Sequence, residues 1–130
     1  MKSLKNLVAG GLIAGLTAIA IGCSPPRYEK ADIAYMLNYP AQYVNRDIEV
    51  QGKTLDPNNG LLALGKHYIS PAIQTDLRKN KKRQRRVMDI MQKQKLIYPD
   101  RIVIKGRFNN DEVLEIKQGF FEAGSRKYDF

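Results

Sequence analysis

Two strand-like stretches decide the fold: Asp47-Ile48-Glu49-Val50-Gln51-Gly52-Lys53 and Ile102-Val103-Ile104-Lys105-Gly106-Arg107-Phe108. In the first, apolar side chains occupy every second position, which is typical of a strand with one buried face. Both stretches contain the pattern apolar-x-apolar-x-Gly, at 48–52 and 102–106. A glycine inside a strand marks a bend, a bulge or a close approach of another backbone. Because small barrels need strongly coiled strands, the two stretches predict a curled sheet.

Three further strands are predicted from the turns that separate them. The segment Asp56-Pro57-Asn58-Asn59-Gly60 is a turn sequence, and 61–64 and 66–70 follow it as one or two short strands, counted as two in the order of elements. Asn109-Asn110-Asp111 is a second turn, and 113–117 follows it as the hairpin partner of 102–108. We therefore expect five strands.

A short helix is predicted ahead of the first strand. Ile33, Met36 and Leu37 are spaced as one helical face, Asp32 is a suitable N-cap, and Pro40 ends the helix.

A longer helix is predicted from Pro71 to Leu96, around the basic run at 78–86. On a helical wheel seven residues fall within about 60° of one direction, and the cations of the run point elsewhere. These seven are Ile73, Leu77, Asn80, Gln84, Val87, Met88 and Met91. The alternative is a disordered basic loop between two shorter helices.

The order of these elements resembles the OB-fold. The string Leu37-x-x-Pro40-x-x-Tyr43-x-Asn45-x-x-Ile48-x-Val50-x-Gly52 is similar to the opening of OB-type domains in small exported bacterial proteins. The resemblance implies a mainly β fold with helices (α+β): a small five-stranded barrel over 31–130, with the long basic helix between strands 3 and 4. It implies binding rather than catalysis and carries over no catalytic residue.

The N-terminus has the composition of a secretory signal peptide. Lys2 and Lys5 precede an uncharged run from Asn6 to Gly22. Its apolar stretch, Leu7 to Ile21, is 15 residues long, whereas a membrane-spanning helix needs about 20. A permanent span is therefore disfavoured.

The string Ala20-Ile21-Gly22-Cys23 resembles a bacterial lipobox. The resemblance implies cleavage after Gly22 and lipidation of Cys23. The chain then divides into a signal peptide (1–22), a lipidated cysteine with a short tether (23–30) and the domain. Ser24 after the cysteine resembles the outer-membrane class of a two-membrane bacterium, facing the periplasm. The alternative is an ordinary cleaved signal with an incidental cysteine.

The positive charge is concentrated in one segment of the chain. The 130 residues, enough for one domain, hold 22 Lys plus Arg against 13 Asp plus Glu. Residues 24–77 are net −1, residues 78–107 are net +10, and residues 108–130 are net −2. The protein is therefore close to neutral outside one stretch of 30 residues.

The basic run is the candidate binding site. Seven cations form the predicted anion-binding set: Arg78, Lys79, Lys81, Lys82, Arg83, Arg85 and Arg86. For a lipid-anchored domain the expected partners are the membrane itself, through the anchor and through anionic headgroups or lipopolysaccharide phosphates, or an acidic envelope protein. Two alternatives are a merely solvated basic face and a structural subunit of an envelope complex. Nucleic acid is a weaker candidate, because the chain is exported and no aromatic residue interleaves the run.

Catalysis is not expected. The chain has one Cys and one His, which excludes metal sites that need several of either. His67 stands beside Lys66 and Tyr68 without a recognisable nucleophile motif. Asp111, Glu112 and Glu115 lie in a turn and its hairpin at spacings that mark no metal or glycosidase pair. We predict no catalytic residues, no metal, no cofactor and a non-enzymatic binding or assembly module.

Overall fold

The computed structural model describes residues 27–66, 70–96 and 98–130. Within them the chain is mainly β with helices, as predicted. The strands are β1 (Glu29–Ala31), β2 (Arg46–Gly52), β3 (Thr54–Leu55), β4 (Leu61–Ala63), β5 (Ala72–Thr75), β6 (Arg101–Phe108), β7 (Val113–Ala123) and β8 (Arg126–Asp129). The α-helices are α1 (Ile33–Asn38) and α2 (Lys81–Lys93), and 3-10 turns occupy Pro40–Gln42 and Leu77–Lys79. The predicted signal peptide with Gly22, the predicted lipidation site Cys23 and His67 lie outside the described residues.

The eight strands form one mixed sheet in the order β1-β2-β6-β7-β5-β4-β3, and β8 pairs with β7. The β1–β2 and β5–β7 pairs are parallel and the other pairs are antiparallel. The sheet is therefore larger than the five strands predicted, and its hydrogen-bonded order has two ends instead of closing into a barrel.

The glycines of the two repeated patterns lie where backbones approach closely, as predicted. A Cβ at Gly52 would lie 2.6 Å from the carbonyl oxygen of Ala63, and a Cβ at Gly106 would clash with the carbonyl oxygen of Glu115. At Gly106 the β6–β7 register also shifts: Lys105 pairs with Gln118 and Gly106 with Ile116. Lys117 is therefore an extra residue on β7, a β-bulge that increases the local twist.

The core lies between the sheet and the two helices. The α1 helix contributes Ile33 and Met36, both almost fully buried. The Asp32 carboxylate caps the helix by accepting a hydrogen bond from the Tyr35 N–H at 3.0 Å. This confirms the short helix predicted before the first strand.

The prediction of one helix from Pro71 to Leu96 was wrong in its first third. Residues 72–75 are strand β5, in which Ile73 and Thr75 are buried and alternate with Ala72 and Gln74. A 3-10 turn follows, and α2 begins only at Lys81. Ile73 and Leu77 are four residues apart, a spacing that suits one face of a helix and one face of a strand equally. The chain order therefore has β5 directly before α2, while 67–69 of the predicted strand 66–70 lie outside the described residues.

The described segment contains its own core. All strand pairings join residues between Glu29 and Asp129, and the buried cluster extends from Ile33 to Phe130. We therefore expect residues 27–130 to fold as an independent domain.

Candidate anion-binding site

The α2 helix is fixed at its start and along one face. The Asn80 side chain accepts a hydrogen bond from the Arg83 N–H at 3.1 Å and so caps the helix. Val87 is completely buried. The Gln84 amide donates to the Pro57 carbonyl at 2.7 Å. The two uncharged residues of the basic run, Asn80 and Gln84, thus hold the helix in place.

The turn that receives Gln84 is held by the carboxylate of Asp56. Asn58 and Asn59 donate their N–H groups to Asp56, and the Asn59 side chain adds a hydrogen bond of 2.9 Å. Partial burial opposes ionisation of Asp56, but these hydrogen bonds outweigh it and lower the pKa of the carboxyl. The turn is therefore most stable with Asp56 charged.

Arg83 differs from the other cations of the run because its guanidinium faces the sheet. It donates to the carbonyl oxygens of Ile116 at 2.9 Å and Lys117 at 3.2 Å. These carbonyls flank the β7 bulge. Arg83 therefore joins α2 to the sheet at the β7 bulge, and both of its terminal nitrogens already donate to carbonyls there.

Arg86 is held at one nitrogen only. Its Nε donates to the Asp129 carbonyl at 2.8 Å, next to β8. Among the described residues, neither terminal nitrogen of Arg86 has a partner, so both can donate to a ligand. The residue is exposed.

The remaining cations of the predicted set are Arg78, Lys79, Lys81, Lys82 and Arg85, and all five are exposed. None of their side chains makes a hydrogen bond or an ion pair with another described residue. Helical spacing adds Lys93, seven residues after Arg86, to the exposed side of α2. We call Lys81, Lys82, Arg85, Arg86 and Lys93 the α2 cationic face.

Four cations of the sheet, in contrast, are paired with carboxylates, whereas Lys30, Lys117, Arg126 and Lys127 on β1, β7 and β8 make no salt bridge with another described residue. Four salt bridges join described residues, and all four lie on strands: Arg46–Glu29, Arg101–Glu122, Lys105–Glu49 and Arg107–Asp47. The hydrogen bond to Glu122 raises the pKa of the Arg101 guanidinium. Of the basic residues in 78–107, those on β6 are neutralised, and the excess charge is confined to the helix and its approach.

The start of α2 concentrates positive charge where a helix disfavours it. Lys81, Lys82 and Arg83 occupy the first turn, which has no acidic residue. The N-terminal end of a helix carries about half a positive charge from its peptide dipoles, and cations there cost a few tenths of a kcal/mol each. A bound anion would relieve the repulsion between the cations and the positive end of the helix, and the repulsion among the cations themselves.

The described residues contain no group of three or more His, Cys, Asp or Glu side chains arranged to hold a metal ion. Of the three acidic residues weighed as catalytic candidates, Glu115 accepts a hydrogen bond of 3.0 Å from Asn109 within its own hairpin, and Asp111 and Glu112 are exposed. In the part of the chain that the structure describes, no helix is long and apolar enough to cross a membrane.

Sequence reasoning missed one cation beside this surface, Lys93, which could have been found from its spacing to Lys82 and Arg86. No protein-family model, no curated protein and no solved structure matches the chain.

Proposed function

We propose that the protein is a non-catalytic lipoprotein of the cell envelope in which the α2 cationic face contacts an anionic surface. Where the organism has two membranes, we place it on the outer membrane, facing the periplasm. The observation that carries the proposal is the division of charge. The three cations of β6 and Arg46 of β2 are paired with carboxylates. The side chains of Lys81, Lys82, Arg85 and Lys93 on α2, in contrast, make no hydrogen bond or ion pair with another described residue.

Lipidation at Cys23 and the basic helix would act together. A single acyl chain gives marginal membrane attachment, and each basic residue near anionic lipid adds about 1 kcal/mol. Membrane lipids and lipopolysaccharide both present phosphates at the surface where such an anchor would hold the domain. An acidic envelope protein, in a complex of which this chain is a structural subunit, offers the same charge.

The tether and the helix are close enough for this arrangement. One row of the sheet runs from Glu29 through Ile48 and Gly106 to Ile116, the residue whose carbonyl binds Arg83. Three strand spacings amount to about 14 Å. The six residues from Cys23 to Glu29 reach at most about 21 Å. A lipid on Cys23 would therefore keep the start of α2 within a few nanometres of the headgroups.

We also propose that the sheet is a partly open variant of the OB-like barrel. The support is the segment 46–55, in which β2 and β3 are separated only by Lys53. Its first part pairs with β6 and its second part with β4. The order β4-β5-β7-β6 therefore begins and ends on one bent segment. The bent segment and these four strands make five, and the contact between β5 and β7 is parallel. In chain order α2 lies between the third and the fourth of the five, β5 and β6.

Co-sedimentation with lipid vesicles tests the proposal. We expect residues 27–130 to pellet with vesicles rich in phosphatidylglycerol, to pellet less as salt rises, and to remain in solution with phosphatidylcholine. Replacing Lys81, Lys82 and Arg85 by Gln removes three unpaired charges. At about 1 kcal/mol each, this change should weaken binding about 100-fold.

The matched control replaces Lys30, Arg46 and Lys53 by Gln, which removes the same charge from exposed positions on the sheet side. Its binding should stay within a few-fold of the unmodified domain. Arg83 is left intact in both variants because its contacts are structural. Equal, salt-insensitive pelleting with both lipids, or equal losses in the two variants, would rule out the proposal for lipid.

A further inference from the structure

A groove separates the C-terminal half of α2 from β8. Its volume is about 370 Å³, within the roughly 300–1,000 Å³ of small-molecule sites. The lining consists of Lys82, Arg85, Arg86, Asp89, Ile90, Lys93, Gln94 and Tyr128. Four of these eight residues are cations, and one is an acid.

Arg86 is the fixed cation of the groove. Its Nε is held by the Asp129 carbonyl at 2.8 Å, which orients the guanidinium and leaves both terminal nitrogens free to donate. An arginine oriented in this way matches two oxygens of a phosphate at once. Lys82 lies one helical turn before Arg86, and Lys93 lies two turns after it on the same side.

The floor of the groove is apolar. Ile90 and Tyr128 are half-buried, and both pack against the hydrophobic core. The groove thus combines a cationic rim with an apolar base, which is the chemistry of a phosphate head joined to a hydrocarbon portion.

From this juxtaposition we infer that the groove between α2 and β8 binds one phosphate-bearing amphiphile, with the phosphate on Arg86 and the apolar portion on Ile90 and Tyr128. The inference rests on the proposed function and makes it more specific. Diffuse attraction of a cationic helix to a charged surface needs no groove and does not saturate at one ligand per protein. A site of this kind saturates at one ligand per protein and loses affinity when Arg86 is replaced by lysine.

Calorimetric titration of residues 27–130 tests the inference, with inorganic phosphate and monomeric dihexanoyl phosphatidic acid as probes. We expect one phosphatidic acid per protein, bound at least about tenfold more tightly than inorganic phosphate, because burial of even two methylene groups contributes that much. Stoichiometry above one, or equal affinity for the two probes, would overturn the inference.

Two variants locate the ligand. Arg86→Lys keeps the charge but loses the paired donors, so affinity for phosphatidic acid should fall about tenfold. Asp89→Asn removes the only acid from an exposed position of the rim, so affinity should rise a few-fold. Unchanged affinity in both variants would contradict the inference. Asp89→Asn keeps the test valid even if Arg86→Lys proved unstable, because the Asp89 side chain makes no hydrogen bond with another described residue.

The same variants separate this inference from the proposed function. Vesicle pelleting that survives Arg86→Lys together with a failure to bind monomeric phosphatidic acid would overturn the groove alone. Loss of salt-sensitive pelleting in the unmodified domain would overturn the proposed function instead.

Discussion

At the scale of single residues, neighbouring arginines of α2 have different tasks. Arg83 donates to two carbonyls at the β7 bulge, whereas Arg85, two residues later, is exposed and unpaired among the described residues. The sequence predicted both as equivalent anion-binding residues, because a run of cations does not reveal which guanidinium faces a carbonyl. The bulge that makes the difference arises from the pairing of distant strands.

This difference predicts that replacing arginine by glutamine changes stability differently at positions 83 and 85. Arg83→Gln should lower the free energy of unfolding by about 1–2 kcal/mol, since it removes charge-assisted hydrogen bonds from carbonyls at the bulge. Arg85→Gln should leave stability unchanged or raise it slightly, because it relieves repulsion within the run. Urea unfolding followed by circular dichroism measures both changes. Equal stability of the two variants would contradict the structural role of Arg83.

Asp56 should give the domain part of its acid sensitivity. Hydrogen bonds lower the pKa of its carboxyl in the folded state, so its stabilising contribution is complete above the unfolded pKa of about 3.9 and is lost as the pH falls through the lowered folded value. Asp56→Asn should therefore be less stable than the unmodified domain near pH 6, and the gap should narrow by about pH 3. Urea unfolding at both pH values measures the gap. A gap that stays constant would show that the charge of Asp56 contributes nothing, and exposed Asp89→Asn is the control.

At the scale of elements, the apolar patterns predicted those strands and helices that place side chains in the core. They missed the strands that contribute little to it. Strands β2, β4 and β6 and helix α1 place apolar side chains in the core, and all were predicted. Strands β1 and β8 each contribute only one partly buried apolar side chain to the core, Ala31 and Tyr128 respectively. Their pairing depends on backbone hydrogen bonds, which leave no mark in the sequence. Strand β5 was misassigned to the long helix because the spacing of four between Ile73 and Leu77 fits both a helix and a strand.

The observed boundary of α2 predicts the effect of removing its cap. Asn80→Ala should destabilise the domain by about 1 kcal/mol, since it leaves the Arg83 N–H without its acceptor. Asn80→Asp keeps an acceptor and adds negative charge at the positive end of the helix, so it should be at least as stable as the unmodified domain. Thermal unfolding compares the two variants. If α2 were continuous through residue 80, neither substitution would remove or replace a cap, and the two variants would not differ in this way.

At the scale of the whole molecule, the proposed anchor and the asymmetric distribution of charge would act together. The sequence alone located the charge in 78–107 and indicated binding rather than catalysis as the function. It could not divide that charge between a neutralised strand and an unpaired helix, because the carboxylates that pair with β6 come from β2 and β7, far away in the chain.

The anchor is tested separately from the helix. Cys23→Ser in the full chain should abolish incorporation of labelled palmitate in a bacterial host and reduce recovery in the membrane fraction. A diacylglycerol on Cys23 would supply the larger part of the membrane affinity through its two chains, so substitution of the helix charges in the lipidated chain should change fractionation much less. Continued labelling of the Ser variant would contradict lipidation at this position.

The orientation of the domain on the membrane is the most direct test of the central claim. Cys23 is the only cysteine, so residues 27–130 with Gln92→Cys carry a single labelling site on the exposed side of α2 without a change of charge. Gln51→Cys places the same site at an exposed position of β2. An environment-sensitive fluorophore at position 92 should shift its emission to the blue on phosphatidylglycerol vesicles, while the same fluorophore at position 51 should not. Equal shifts at both positions, or a shift at position 51 alone, would contradict contact through the cationic helix.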